Sequence, residues 1–138
     1  MVEMLIAVTV LGTVTAMAMP NVSSAVRQRR VIAAAATLSS DIESAFSLAA
    51  RQRRPIRVSY HTASGEVRIA DRASGTVFRR RPLGASSEYR LSATSMSPGV
   101  VDVFPGGVAS APFSFSLTNG AYQRQVTVTR AGLTRVTP

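Results

Sequence analysis

The chain opens on an uninterrupted apolar run and closes on two-residue alternation. No residue from Met4 to Val26 is charged, and Met4 to Met19 is nearly all apolar. As a helix that run rises roughly 35 Å, enough to cross a hydrocarbon core of about 30 Å. The hydroxyls of Thr9, Thr13 and Thr15 can bond back to carbonyls one turn earlier, so they are compatible with lipid. Two other readings compete. Ala16-Met17-Ala18 fits a signal-peptide cleavage site, but a secretory signal wants a basic start, and here Glu3 stands there. A buried core helix would need a partner surface that so short a chain hardly offers. The expectation is a membrane-competent helix over residues 1–26. Gly12 and Pro20 should bracket a softened stretch within it. Pro20 has no N–H for the carbonyl of Ala16, and Gly12 weakens the helix entropically.

After Asn21 the character changes. Arg27, Arg29 and Arg30 mark the exit from lipid, a position suited to headgroup contact. From Val31 to Ala50, Leu38, Ile42, Ala45 and Ala49 step by four, three and four. That is one apolar stripe of an amphipathic helix, widened by Phe46 and Leu48. Asp41, Glu43 and Ser47 are expected to point elsewhere. Ser40 and Glu43 have capping-box spacing, which would allow a break near Ser39, but the unbroken stripe argues against it. The helical segment, residues 27–54, should end by Arg54, because Pro55 restricts its predecessor to extended geometry.

From Pro55 to the end, residues 55–138, the period is two. Ile56, Val58 and Tyr60 alternate with Arg57 and Ser59, and Val67 and Ile69 with Glu66 and Arg68. Further strand-like runs are Tyr89-Arg90-Leu91, Val100 to Phe104, Phe113 to Leu117 and Gln125 to Thr129. Glycine-containing turn signals separate them. Asn119-Gly120 between two such runs predicts a hairpin with a type I′ turn. Arg72 to Ser87 reads as a loop with a short strand near Val77-Phe78. Antiparallel strands with one apolar face need a cover, and the helical stripe is the only candidate. The expected fold class is α+β, a helix packed on antiparallel sheet, with an N-terminal extension projecting from a domain spanning 27–138.

Composition narrows the chemistry. All sixteen basic residues are arginine, and seven acids leave a formal charge of +9. Such a balance favours anionic partners, whether headgroups, nucleic acid or acidic subunits, and equally serves solubility. Cysteine is absent, which excludes disulfides, zinc–cysteine sites and thiol nucleophiles. The single histidine, His61, adjoins a turn-like Thr62-Ala63-Ser64-Gly65 and reads as a surface residue. No Gly-x-Ser-x-Gly elbow, carboxylate pair, metal cluster or phosphate loop stands out. No enzyme activity, catalytic residue, metal or cofactor is expected.

The start of the chain, Val2-Glu3-Met4-Leu5, resembles the type IV pilin class III signal, which runs Gly-Phe-Thr-Leu-(Ile/Val)-Glu-(Met/Leu)-Leu. Met1 stands where a leucine is usual. The basic leader, cleavage glycine and methylated phenylalanine of that signal do not occur in the chain, which bears on processing and not on family. Leu11-Gly12 and Pro20 stand where these proteins carry glycine and proline. The remainder resembles the GspH/FimT branch. Ser44 to Arg51 followed by Arg54-Pro55-Ile56-Arg57-Val58 is similar to its helix–arginine–proline–strand junction. Val103-Phe104-Pro105-Gly106-Gly107 is similar to its Phe-x-Pro-x-Gly segment, and Val126 to Thr129 with Gly132 to its closing strand and turn.

The resemblance implies a pilin-like fold and a structural subunit of a type II secretion pseudopilus or type IV pilus. The N-terminal helix would anchor the subunit in the bacterial inner membrane, with the C-terminal domain in the periplasm, and then pack in the filament core. Other pilin or pseudopilin subunits, inner-membrane lipid, and the assembly platform and secretion machinery are the implied partners. Glu3 would pair with the N-terminal amine of an adjacent subunit. DNA is the less favoured partner. In FimT-like proteins a Gly-Arg-x-Arg segment is associated with DNA binding; here Gly132-Leu133-Thr134-Arg135 replaces its first arginine with leucine. Arg130 and Arg135 are the remaining candidates for anion or DNA contact.

Overall fold

A single 51-residue helix, α1 (Val2–Gln52), opens the structure, roughly 75 Å long at the standard rise. The computed structural model describes residues 1–138 except the side chains of residues 18–20. No break occurs at Ser39: its hydroxyl bonds back to the carbonyl of Ala35 instead of capping a new helix. The helix stops two residues before the Arg54–Pro55 junction. Arg53 takes a left-handed conformation (φ 52°, ψ 35°) where a glycine is usual. Pro55 then starts the extended region.

Nine strands follow: β1 (Ile56–His61), β2 (Glu66–Asp71), β3 (Val77–Pro82), β4 (Ala93–Ser97), β5 (Val100–Phe104), β6 (Val108–Ala109), β7 (Phe113–Asn119), β8 (Tyr122–Val128) and β9 (Thr134–Thr137). They form two antiparallel sheets, ordered β3-β2-β1-β5-β6 and β4-β7-β8-β9. The sheets meet where the amide of Ala109 on β6 donates to the carbonyl of Arg130 after β8.

Alternation decides the inner faces, as expected for half-buried strands. Ile56 and Val58, Val67 and Ile69, Val101 and Val103, Phe115 and Leu117, and Val126 and Val128 are all buried. The stripe Leu38, Ile42, Ala45 and Ala49 covers them, extended toward the N-terminus by Val31, Ala34 and Ala35. Phe46 and Leu48 flank it, partly buried. Small alanines let the helix axis approach the sheets closely, and at the far edge the Phe46 ring lies against Gly132. A Cβ there would sit 3.0 Å from the ring, and φ is already +84°.

Four expectations are corrected. Asp41 does not point away: it is 3 % exposed at its side chain and lies on the stripe. Tyr89-Arg90-Leu91 is not a strand, although Tyr89 and Leu91 are buried as an alternating pair would be. Arg90 has φ 47°, which breaks extended geometry. Its carbonyl accepts from Asn119 Nδ2 at 3.1 Å instead of joining a ladder. Arg79-Arg80-Arg81 lie within β3, paired with Ile69, Arg68 and Val67 of β2, not in a loop. The hairpin at Asn119-Gly120 forms one residue out of the expected phase. Asn119 pairs with Tyr122, so Gly120 and Ala121 are the central residues. Positive φ occurs at Gly120 alone (63°), the pattern of a type II′ turn instead of type I′.

Candidate functional site

From Met1 to Met17 every residue of the apolar run is exposed. Met4 is 79 %, Leu11 71 % and Met17 78 % exposed. Thr9, Thr13 and Thr15 each bond back to the preceding turn, at 2.6, 3.1 and 2.7 Å. Their polarity is therefore satisfied within the helix, as lipid or a packed helix bundle requires. Among the described residues this is the one helix long and apolar enough to cross a membrane. So large an exposed apolar surface calls for lipid or partner helices.

Glu3 is exposed in the first turn and has no ion pair among the described residues. Near a helix N-terminus a carboxylate is favoured by the peptide dipoles. Gly12 has open space around it, with nothing within 4 Å of where a side chain would begin. The helix continues through it unbroken. Pro20, the other expected soft point, lies outside the residues whose side chains are described.

Acids gather the arginines into pairs. Asp41 accepts from Arg81 Nε at 2.6 Å and Nη2 at 3.1 Å, and from Arg79 Nη1. The carboxylate holds the Arg81 guanidinium above its ordinary pKa, chiefly through that hydrogen bond. Asp102 binds Arg57 and Arg72, Asp71 lies 3.7 Å from Arg54, and Glu66 pairs with Arg68. Asp71 also accepts the amides of Ala73 and Ser74. Those amides, Ser74 first, hold its carboxyl below the usual range. Four of the acids are thus consumed in structural pairs, and no group of three metal-ligating side chains occurs among the described residues. His61 is exposed, with only a long 3.5 Å contact to Ser59 Oγ.

The signal for Asp41 was present in the sequence. It sits three residues after Leu38 and four before Ala45, on the stripe itself. Arg79 and Arg81 stand two apart, so on a strand they share a face.

Arg130 and Arg135 do not join the other strand arginines. Arg130 follows β8 and bonds to Ala109 of β6 through its carbonyl and, weakly at 3.4 Å, through its Nε. Arg135 lies on β9 beside Thr127. Arg79, Arg80 and Arg81 are on β3, the opposite edge of the five-stranded sheet from β6. No single face collects these arginines. Binding of DNA by the domain should therefore be weak at physiological salt and indifferent to which pair is removed. A titration comparing wild type, Arg130→Ala/Arg135→Ala and Arg51→Ala/Arg53→Ala checks this. Tight binding lost only with the first pair would reverse the expectation.

A family model described as Type II transport protein GspH matches residues 34–132, the buried half of the helix and nearly all of the strands. The chain belongs to the GspH family. Its GspH-type fold is shared with the type IV minor pilin FimU of Pseudomonas aeruginosa (strain PAO1). The two are 18 % identical with a TM-score of 0.64, over 80 % of this chain and 90 % of that one. It is shared too with the minor pseudopilin EpsH from the Type 2 Secretion System of Vibrio cholerae. Here identity is 12 % and TM-score 0.58, over 78 % of this chain and 96 % of that one. At such identities the likeness is one of fold. No curated protein matches the chain significantly.

Proposed function

We propose that this GspH-family protein is a non-enzymatic structural subunit, a minor pseudopilin of a type II secretion pseudopilus or a minor pilin of a type IV pilus. One observation carries the reading. A helix continuous from Val2 to Gln52 is exposed and apolar along its first half and embedded in a GspH-type domain along its second. Residues 1–26 hold the subunit in the bacterial inner membrane before assembly, with residues 27–138 in the periplasm. On assembly the same helix leaves lipid and packs among the helices of neighbouring subunits. Glu3 then meets a positive group of a neighbour, its N-terminal amine, because an unpaired carboxylate is costly in an apolar core. Gly12 and Pro20 give the helix latitude to adjust between the two environments. FimU and EpsH, the solved proteins of like fold, are described as a minor pilin and a minor pseudopilin, which supports this class of role.

The division at residue 26 has a direct test. The chain from residue 27 onward should be a soluble monomer with one cooperative unfolding transition, since the buried core begins at Val31. The full chain should require detergent or lipid. Size-exclusion chromatography and thermal melts decide. Aggregation of the shortened chain without cooperative unfolding contradicts the division. Membrane fractionation of the full chain, followed by cross-linking to filament subunits, tests the role itself.

A further inference from the structure

The pole of the domain from which the apolar half of α1 emerges carries more positive charge than the helix alone supplies. Arg27, Arg29 and Arg30 leave the apolar run there. The β7–β8 turn lies beside them, with the Arg27 side chain 3.7 Å from where a Cβ on Gly120 would stand. Arg124 lines a surface cleft with Gln28 and Tyr122. Arg90 is tied to that turn through its carbonyl and Asn119. Its neighbours Glu88 and Tyr89 line a second cleft with Val26, Arg29 and Arg30. Three segments distant in sequence thus place five arginines around one pole, and none has an ion pair among the described residues. Glu88 is the acid beside them.

We infer that Arg27, Arg29, Arg30, Arg90 and Arg124 form a basic collar that seats the domain on an anionic phospholipid surface while the subunit is membrane-anchored. The inference rests on the membrane reading of residues 1–26 given above. That reading sets the bilayer plane: the last uncharged residue of the apolar run is Val26, and the collar begins at the next position. Guanidinium groups match phosphodiester oxygens in charge and hydrogen-bonding geometry. Each arginine near an anionic surface adds to the attraction, and the gain fades within a Debye length. A subunit so seated has its globular domain held against the bilayer, and must break these contacts when it is drawn into a filament.

The test uses the full chain. Because it has no cysteine, Ala121→Cys in the exposed β7–β8 turn takes a single fluorescent donor. The protein is reconstituted into vesicles carrying a headgroup-linked acceptor, made of phosphatidylcholine alone or with phosphatidylglycerol added. Energy transfer should rise with the anionic lipid and fall back at high salt. Arg90→Gln/Arg124→Gln should lower the seated-to-free ratio on the order of twentyfold. Arg90→Lys/Arg124→Lys should keep most of the response, and Arg80→Gln/Arg135→Gln should leave it unchanged. Equal transfer in both lipids, or a full response from the glutamine pair, overturns the collar while the anchor stands. Failure of the chain to float with either vesicle after an alkaline wash overturns the anchor and the collar together.

Discussion

Asp41→Ala should destabilise the domain by about 2–3 kcal/mol, the largest effect expected of any single charged residue in it. Removing one member of a buried pair typically costs about 3–5 kcal/mol, because the remaining charge loses its partner in a place water reaches poorly. Here the carboxylate is buried, but Arg79 and Arg81 are 46 % and 26 % exposed. The orphaned guanidinium groups can recover part of their hydration, so the loss falls at or below the lower end of that range. In a domain of this size the melting midpoint should fall by roughly 10 °C. Glu43→Ala, two residues away on the exposed side, should change stability by less than about 0.5 kcal/mol. A double-mutant cycle between Asp41→Ala and Arg81→Ala should give a coupling of about 1 kcal/mol or more. Thermal melts of the chain from residue 27 supply all of these values. Equal, small effects at Asp41 and Glu43 would mean that the ion pairs of Asp41 with Arg79 and Arg81 are of no consequence to stability.

Glu3→Ala should leave the subunit in the membrane and impair its incorporation into filaments. In lipid the carboxylate sits in the first turn, next to the water interface, and its loss removes a desolvation cost. In a filament core the proposed pairing with a neighbour's amine disappears. Truncating one side of a buried charge pair costs about 2 kcal/mol or more, so incorporation should fall at least about tenfold. Glu3→Gln should behave like alanine, since it keeps the shape and loses the charge. The comparison is between membrane-fraction and sheared-filament levels of wild type and variants. Normal incorporation of Glu3→Ala at equal membrane abundance would remove the pairing role and leave Glu3 as a residue favoured by the helix dipole.

What the sequence determined by itself is what short-range chemistry dictates. The apolar run, the stripe Leu38-Ile42-Ala45-Ala49, the stop before Pro55 and the inward residues of the strands follow from period, helix-breaking residues and burial. Each of these forces acts within a few residues. Tyr89 and Leu91 show where that logic ends: their alternation read correctly as burial but not as strand. The left-handed Arg90 between them is held by Asn119, a partner far along the chain. The same is true of the hairpin at Asn119-Gly120. The dipeptide announced a turn, but the register of β7 on β8 decided which residues are central. Asp41's place on the stripe was legible in the sequence, but only the tertiary structure brought up the β3 arginines that make its burial tolerable. It likewise split the strands into two sheets, and separated Arg130 and Arg135 from Arg79, Arg80 and Arg81. It also gathered Arg90 and Arg124 to the pole that Arg27, Arg29 and Arg30 mark in the sequence. Charges carry no periodic signature of their own, so their grouping becomes visible only when distant segments are folded together.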